Sequence, residues 1–377
     1  VAHRIVVVGA GYAGLSAAKR AARGLGGRVA VTVVNPADVF VERVRLHEVA
    51  AGAPAVDLSL AETLADRRVA FLRGTVTELA LAGRRVAVAT TGGSHELEYD
   101  TLVYTAGSTA RTGCVPGVAE HALTVSGAAD TAAARARLAD LTDGAWVTVV
   151  GGGATGIEVA AELAETHPGL RLRLVTDEEL GGWLSPRGRA HVRSALERLG
   201  VQVRDHVEVV EVAADGLVLD DGQVLSSDAV VWSVGFDVPS LAARAGLEVD
   251  RSGRVRVDGT MRSYSHPEVY AAGDAAAMGG ALGGELRMAC ATALPSGRQV
   301  ADSIAARLAG RTPRPMRFSY AFQCISLGRR DGLIQFLHGD DRPRDRVLTG
   351  RAAALFKEGI VRSALTFTRL PGPLLPS

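Results

Sequence analysis

An α/β fold in two similar halves, followed by a smaller mixed tail, is what this 377-residue sequence predicts. Three observations carry that expectation. The stretch Ile5–Ala18, IVVVGAGYAGLSAA, is a β-branched run, then G-x-G-x-x-G, then small residues at helical spacing. Val147–Ala161, VTVVGGGATGIEVAA, repeats the arrangement, and Thr101–Gly107 (TLVYTAG) is mirrored by Ala229–Gly235 (AVVWSVG). In each fingerprint the first glycine (Gly9, Gly151) allows a tight strand-to-helix turn. The second (Gly11, Gly153) lets a pyrophosphate reach the backbone, and the third (Gly14, Gly156) lets helix and sheet pack closely. The anion then rests on unpaired N–H groups at a helix start, with Tyr12, Ala13, Ala154 and Thr155 at the same junctions. One such motif is a weak signal, but two in strand–turn–helix context predict two dinucleotide sites.

Composition narrows the class. Hydrophobic residues at 47% and charged residues at 22% suit a soluble globular protein of two or three domains. The net charge of +1, with no strongly basic block, argues against a nucleic-acid partner. Nearly all the basic residues are arginine, and Lys19 and Lys357 are the only lysines. No apolar run approaches the roughly 20 residues that cross a bilayer, and the chain enters a strand almost at once, so no secretory leader is expected. Cys114, Cys290 and Cys324 are odd in number, far apart and without a C-x-x-C spacing. They predict buried structural thiols in a reducing cytoplasm, neither a disulfide framework nor a metal site.

The elements follow in order. A helix over Leu15–Arg23 leads through Gly24–Gly27 to a strand, Val29–Val34, that ends at Asn35. An acid about 20 residues past the glycines ordinarily takes the ribose hydroxyls; Asn35 stands there and can still donate and accept. Val39–Gly52 is dense in charge. Arg43, Arg45 and His47 could face a reactive ring, or the stretch is a solvated helix face with pairs such as Glu42–Arg45. Val69–Arg73, Thr75–Leu79 (with Val76), Arg84–Thr90 and Leu97–Tyr99 read as short strands punctuated by glycines, and Thr101–Gly107 as a buried strand ending at Ala106 and Gly107.

Ala128–Leu141 reads as a helix before the second fingerprint, and Leu170–Val175 as the strand after it. The next residues, Thr176, Asp177, Glu178 and Glu179, would repel a 2′-phosphate and favour NADH over NADPH. Arg187–Leu199 reads as a helix with His191 on its surface, and His206 as a turn residue. Val207–Val212, Leu217–Leu219 and Gln223–Leu225 form a small meander, with Asp221–Gly222 as a hairpin turn. Ala229–Gly235 then closes the second half. Val255–Val257 and Val269–Asp274 (VYAAGD) are strands, and Ala289–Leu308 is a helix interrupted by Pro295. After a proline-rich link, Arg311–Pro315, the tail offers strands Ala321–Leu327 and Gly332–Leu337 and a helix Arg351–Phe367. On that last stretch Leu348, Ala352, Leu355, Phe356, Ile360 and Leu365 suggest an apolar face, with Arg351, Lys357, Arg362 and Arg369 interleaved. Such a face could rest on an anionic membrane, cover the first half, or meet a dimer partner.

GAGYAGL, TLVYTAG, VVGGGATGIEVAAELAE, AVVWSVGFDVP and TMRSYSHPEVYAAGD together make the chain similar to the pyridine-nucleotide-dependent FAD oxidoreductases with two dinucleotide-binding domains. The order of the chain and its tail most resemble type II NADH dehydrogenases and apoptosis-inducing-factor-like reductases. The resemblance implies two Rossmann-like domains, the first binding FAD and discontinuous (1–112 and 237–315), the second binding NAD(P)H (113–236), plus a C-terminal α+β extension (316–377). It implies further that Gly273 and Asp274 bind the flavin's ribityl chain, with Arg43, Val76, Ala106, Gly107 and Gly235 lining the cofactor clefts. The helix from Ala289 points its N-terminus at the flavin ring. Glu158 matches the acid near nicotinamide and flavin, with a structural role at a helix start as the other reading.

Disulfide reductases are set aside because Phe40–Gly52 lacks their paired cysteines. Where type II NADH dehydrogenases place paired glutamines beside a quinone, this chain reads Leu294, Pro295, Ser296 and Gly297. Proline has no N–H to reproduce those contacts. The activity implied is an FAD-dependent NAD(P)H oxidoreductase that takes hydride from NADH (NADPH less favoured) and passes electrons to a small acceptor, a quinone or an aromatic biosynthetic substrate. Glu158, His47 and Arg45 are its expected catalytic residues. A ferredoxin-type carrier acceptor is less favoured, and a flavin-binding redox sensor with incidental turnover is the alternative from another class. The expected location is cytoplasmic, with peripheral contact on the inner membrane face and a homodimer left open.

Overall fold

Two β-branched runs, each buried on both faces, set the architecture. In the computed structural model, which describes residues 1–65 and 69–369 apart from the side chains of Phe367 and Arg369, each run becomes the central strand of a parallel sheet. The first sheet contains β1 (His3–Val8), β2 (Val29–Asn35), β3 (Val69–Arg73) and β4 (Thr101–Tyr104). The second contains β5 (Trp146–Val150), β6 (Arg171–Val175), β7 (Gln202–Arg204) and β8 (Ala229–Trp232). A strand from beyond the second sheet, β9 (Val269–Ala271), returns to the edge of the first, giving the order β9-β4-β1-β2-β3 with every pairing parallel. The second sheet runs β7-β6-β5-β8 and ends on the short strand Ala122–Leu123. Parallel strands need crossovers, and those after β1 and β5 are the helices that open at the glycine loops.

Helix α1 (Tyr12–Leu25) covers β1 and packs along α5 (Cys290–Leu308), while α2 (Leu46–Ala50) sends Ala50 into the core of the second half. Helices α3 (Ala154–Thr166) and α4 (Pro186–Arg198) cover one face of the second sheet. The tail is an antiparallel sheet of β10 (Phe322–Ser326), β11 (Gly332–Leu337) and β12 (Pro343–Thr349), closed by α6 (Gly350–Arg369). Ile325 and Leu333 of that sheet join the core of the second half, and Ala364 and Leu365 of α6 pack on the core of the first. The tail therefore bridges both halves.

Several expectations change. Helix α5 runs unbroken through Pro295, which stands early in it, so one missing N–H costs one bond and breaks nothing. The close packing of Gly297 on the Ala13 backbone holds that helix turn in place. The strand expected at Leu97–Tyr99 spans Gly93–Glu98. β12, whose charged sequence PRDRVLT shows no apolar alternation, has no counterpart in the sequence expectations, and Leu348 belongs to it instead of the helix. Cys114 is exposed. His191 is no free surface residue: its Nε2 lies 2.9 Å from Asp331 Oδ1.

The apolar face expected on α6 is split: Leu365 packs on the first half, and the middle of the stripe is turned outward. Leu355 is 74% exposed and Phe356 and Ile360 are each 40% exposed, while Ala353 and Val361 are buried and Lys357 points inward. Two buried positions and an inward-pointing cation outweigh the stripe that periodicity alone selects. The side chain of Arg369 lies outside the described residues. No helix among the described residues is long and apolar enough to cross a membrane.

Candidate functional site

The two glycine loops are built alike down to single atoms. A Cβ on Gly9 would overlap the Thr105 carbonyl, and one on Gly151 would crowd Ser233. A Cβ on Gly14 would overlap the Gly9 carbonyl, and one on Gly156 the Gly151 carbonyl. Gly11 and Gly153 are different: an added Cβ meets nothing within 4 Å at either. Their φ values, −74° and −73°, strain no residue. Glycine at these two positions therefore leaves room for something outside the protein, as a bound pyrophosphate demands. The mirrored strands supply the braces, since Thr105 Oγ1 donates to Val8 O (2.8 Å) and Ser233 Oγ to Val150 O (3.0 Å).

Asn35 closes the first loop from beneath. Its Oδ1 accepts the Ala10 N–H at 3.0 Å and its Nδ2 donates to Ala37 O at 2.9 Å, so only the remaining amide hydrogen and lone pair are left for a ribose. Val76 lies close by, half-buried on the strand Thr75–Ala80 against the first core. Beyond β4, Ala106 and Gly107 (φ 71°) lead to Ser108, whose Oγ donates to Asp274 Oδ2 at 2.7 Å. Arg43 Nη1 donates to Ser108 O at 2.8 Å and lies 3.5 Å from Asp274 Oδ2. Asp274 follows Gly273, whose N–H donates to Ser296 Oγ on α5 (3.1 Å) and whose own Cβ would crowd Ala13. Arg43, Ser108 and Asp274 thus converge beside the first loop, as a polyol chain requires. On the second half, Gly235 (φ 69°) lies beside Arg111, and Asp177 is exposed past β6.

Between the halves lies a charge cluster. Glu158, on the second turn of α3, accepts from Lys357 Nζ of α6 and from the Ser326 N–H of β10 (3.0 Å) through Oε1. Its Oε2 lies 4.0 Å from His47 Nδ1. Burial would raise this carboxylate, but the charge of Lys357 and the hydrogen bonds from Lys357 and the Ser326 N–H hold it below the ordinary range. His47 is 3% exposed in its side chain, and burial pushes its pKa down to about 4, so the ring is neutral and its Nε2 has no partner. Arg45 is enclosed by carboxylates. It pairs with Glu48 at 3.1 Å, Glu358 of α6 at 2.7 Å and Glu42 at 3.5 Å. Burial raises the Glu42 carboxyl and the Tyr12 phenol; the Tyr12 hydroxyl has no hydrogen-bond partner, and the Glu42 carboxylate has only the long Arg45 contact. Burial likewise raises the Cys290 thiol and pushes Cys324 up to about 12, so neither is a ready nucleophile. The described residues hold no group of His, Cys, Asp and Glu fit for a metal.

Sequence reasoning missed Lys357 and Ser108 as site residues. Lys357 was visible as one of two lysines, but its partner lies on another half. Ser108 follows Gly107 directly, with no signal of its own.

The pyridine nucleotide-disulphide oxidoreductase profile matches residues 3–300. The NADH dehydrogenase-like protein MT1860 of Mycobacterium tuberculosis is 34% identical over 296 residues, 73% of each chain. The type II NADH:quinone oxidoreductase Ndh of the same species is 29% identical across 82% of this chain and 74% of its own. Among solved structures, NDH2 of Plasmodium falciparum in complex with NADH superposes with a TM-score of 0.83 at 14% identity, covering 98% of this chain and 96% of that one. The NAD-dependent persulfide reductase of A. fulgidus superposes with a TM-score of 0.78 at 21% identity; 90% of this chain matches, and it spans 65% of that neighbour. At these identities the structural likeness is one of fold.

Proposed function

The chain belongs to the pyridine nucleotide-disulphide oxidoreductase family, is an FAD-dependent oxidoreductase of NADH, and from that premise we propose that it reduces a small two-electron acceptor. FAD, when bound, takes hydride from NADH and hands electrons onward, which is chemistry no side chain here supplies. Gly9, Gly11 and Gly14 with the start of α1 would hold its pyrophosphate, and Arg43, Ser108 and Asp274 its ribityl chain. Gly151, Gly153 and Gly156 with the start of α3 would hold NADH.

The observation that carries the reading is the Glu158–Lys357 pair, set where α3, β10 and α6 meet. Reducing a quinone-type acceptor with NADH consumes one proton from solvent. The ammonium at Lys357 Nζ, held by a buried carboxylate, is the chain's own means of keeping that proton close. The neutral His47 ring lies beside the far oxygen of Glu158, 4.0 Å away, without adding charge. The quinone contacts of paired glutamines have no equivalent: Leu294 O accepts from Ser16 Oγ at 3.0 Å, Ser296 Oγ holds Gly273, and Gly297 packs on Ala13. These positions serve helix packing, which supports an acceptor bound by other residues.

The domain division at 112–113, 236–237 and 315–316 belongs to the same reading. It is supported by the antiparallel pairing of Thr109–Ala110 with Phe236–Asp237, which sets the two chain crossings side by side.

Anaerobic mixing of FAD-loaded protein with NADH or NADPH tests the proposal. NADH is expected to bleach the flavin band faster than NADPH. Glu158→Gln is expected to slow turnover with a short-chain quinone by about tenfold or more. If neither nucleotide bleached the flavin, the reading would be overturned. Unchanged turnover in Glu158→Gln would remove the pair from the chemistry.

A further inference from the structure

A cavity of about 280 Å³ begins at Ala154, the first residue of α3, and is lined further by Trp183, Arg287, Gln323, Leu337 and Asp341. Arg287 comes from the segment just ahead of α5, and its guanidinium is held on several sides. Nη1 donates to Gln323 Oε1 at 2.5 Å, Nη2 donates to Asp341 Oδ1 at 2.8 Å, and Nε lies 2.6 Å from Asp341 Oδ2. The face lies 4.9 Å from the Tyr320 ring centroid, and the Tyr320 hydroxyl accepts the Arg287 backbone N–H at 2.8 Å. Asp341 adopts φ 75°, a left-handed conformation, so the β11–β12 turn takes a disfavoured backbone at the residue that aims the fork. A guanidinium carries five N–H groups. Two are donated, to Gln323 and to Asp341, the buried Nε–H makes no hydrogen bond although it lies near Asp341, and one on each terminal nitrogen remains, on a side chain 37% exposed at the cavity.

We propose that Arg287 is a positioning residue for the dinucleotide of the second glycine loop, gripping its pyrophosphate from the side opposite the α3 N-terminus, with Trp183 as the adjoining wall. The inference rests on the reading of that loop as the NADH site. Because Asp341 neutralises most of the charge, Arg287 offers direction more than field. Its two remaining N–H groups suit a pair of phosphate oxygens better than any loose anion.

The test uses the FAD-loaded protein, with NADH affinity read by energy transfer from tryptophan to the dinucleotide and by competition with ADP-ribose. Arg287→Met is expected to weaken both ligands by about tenfold or more, with the loss falling on KM more than on kcat. Arg287→Lys should recover only part, since an ammonium lacks the fork, and Asp341→Asn should weaken binding to an intermediate degree. Retained flavin content and dithionite reduction show that each variant is folded. Unchanged affinity in Arg287→Met and Asp341→Asn, in a protein whose wild type NADH bleaches, overturns the proposal and leaves the NADH reading intact. Weakened NADH with unaltered ADP-ribose overturns the pyrophosphate contact. A wild type that NADH does not bleach removes the reading on which the proposal stands.

Discussion

His47 is a neutral ring enclosed by Glu48, Glu158, Lys357 and Arg329, and that enclosure makes it a stability element as much as a site residue. Its folded pKa of about 4 lies below the unfolded value of 6.5. The unfolded chain therefore takes up the proton first as pH falls. The stability associated with the neutral ring is complete above pH 6.5 and is lost progressively toward pH 4. Between pH 7 and pH 5 this group should remove about 2 kcal/mol of unfolding free energy. Denaturant titration of wild type and His47→Gln at both pH values checks it, because the difference in slope separates this ring from Glu42 and Glu162. Equal pH slopes in the two proteins would show that His47 titrates normally. The same enclosure explains why His47 could not be assigned from sequence: its neighbours come from α2, α3, the β10–β11 turn and α6.

At the scale of elements, the strand–glycine loop–helix units show which glycines serve the fold and which serve a ligand. Gly9, Gly14, Gly151 and Gly156 are pressed against backbone or side chain, and replacement there must shift the sheet or the helix. Gly11 and Gly153 face open space at ordinary φ. Gly11→Ala should therefore leave the melting temperature of the flavin-free protein within about 2 °C of wild type while weakening FAD retention. Gly153→Ala should likewise spare stability and raise KM for NADH. Thermal melts with flavin quantification, and initial rates across NADH concentration, separate the two; a fall in flavin-free stability in either variant would contradict the packing argument. The α6 helix belongs to this scale too. Two ion pairs, Lys357–Glu158 and Glu358–Arg45, clamp its inner face to α3 and to the segment before α2, leaving Leu355, Phe356 and Ile360 outside with Arg351 and Arg362 exposed nearby. Peripheral membrane contact is part of our reading of that face. Co-sedimentation with anionic vesicles is expected for wild type and should be lost in the triple substitution of Leu355, Phe356 and Ile360 to glutamate, whereas equal sedimentation would exclude the lipid contact.

For the whole molecule, the sequence by itself determined what local pattern can encode: two β-branched strands with their glycine turns and helices, the mirrored strands that brace them, and the sequence of elements that identifies the family. These signals survive in one dimension because each turn, cradle and strand–helix step is built within a few tens of residues. Tertiary structure decided the rest. The outward turn of Leu355, Phe356 and Ile360, the packing of Gly297 on Ala13 beside Pro295, and the meeting of Glu158 with Lys357 all depend on segments far apart in the chain. In the sequence Lys357 is one of several cations interleaved with an apolar stripe, because helical spacing reports only a helix's own faces. Which face turns inward depends on a buried carboxylate that must be paired, and that carboxylate lies on α3, 199 residues earlier in the chain.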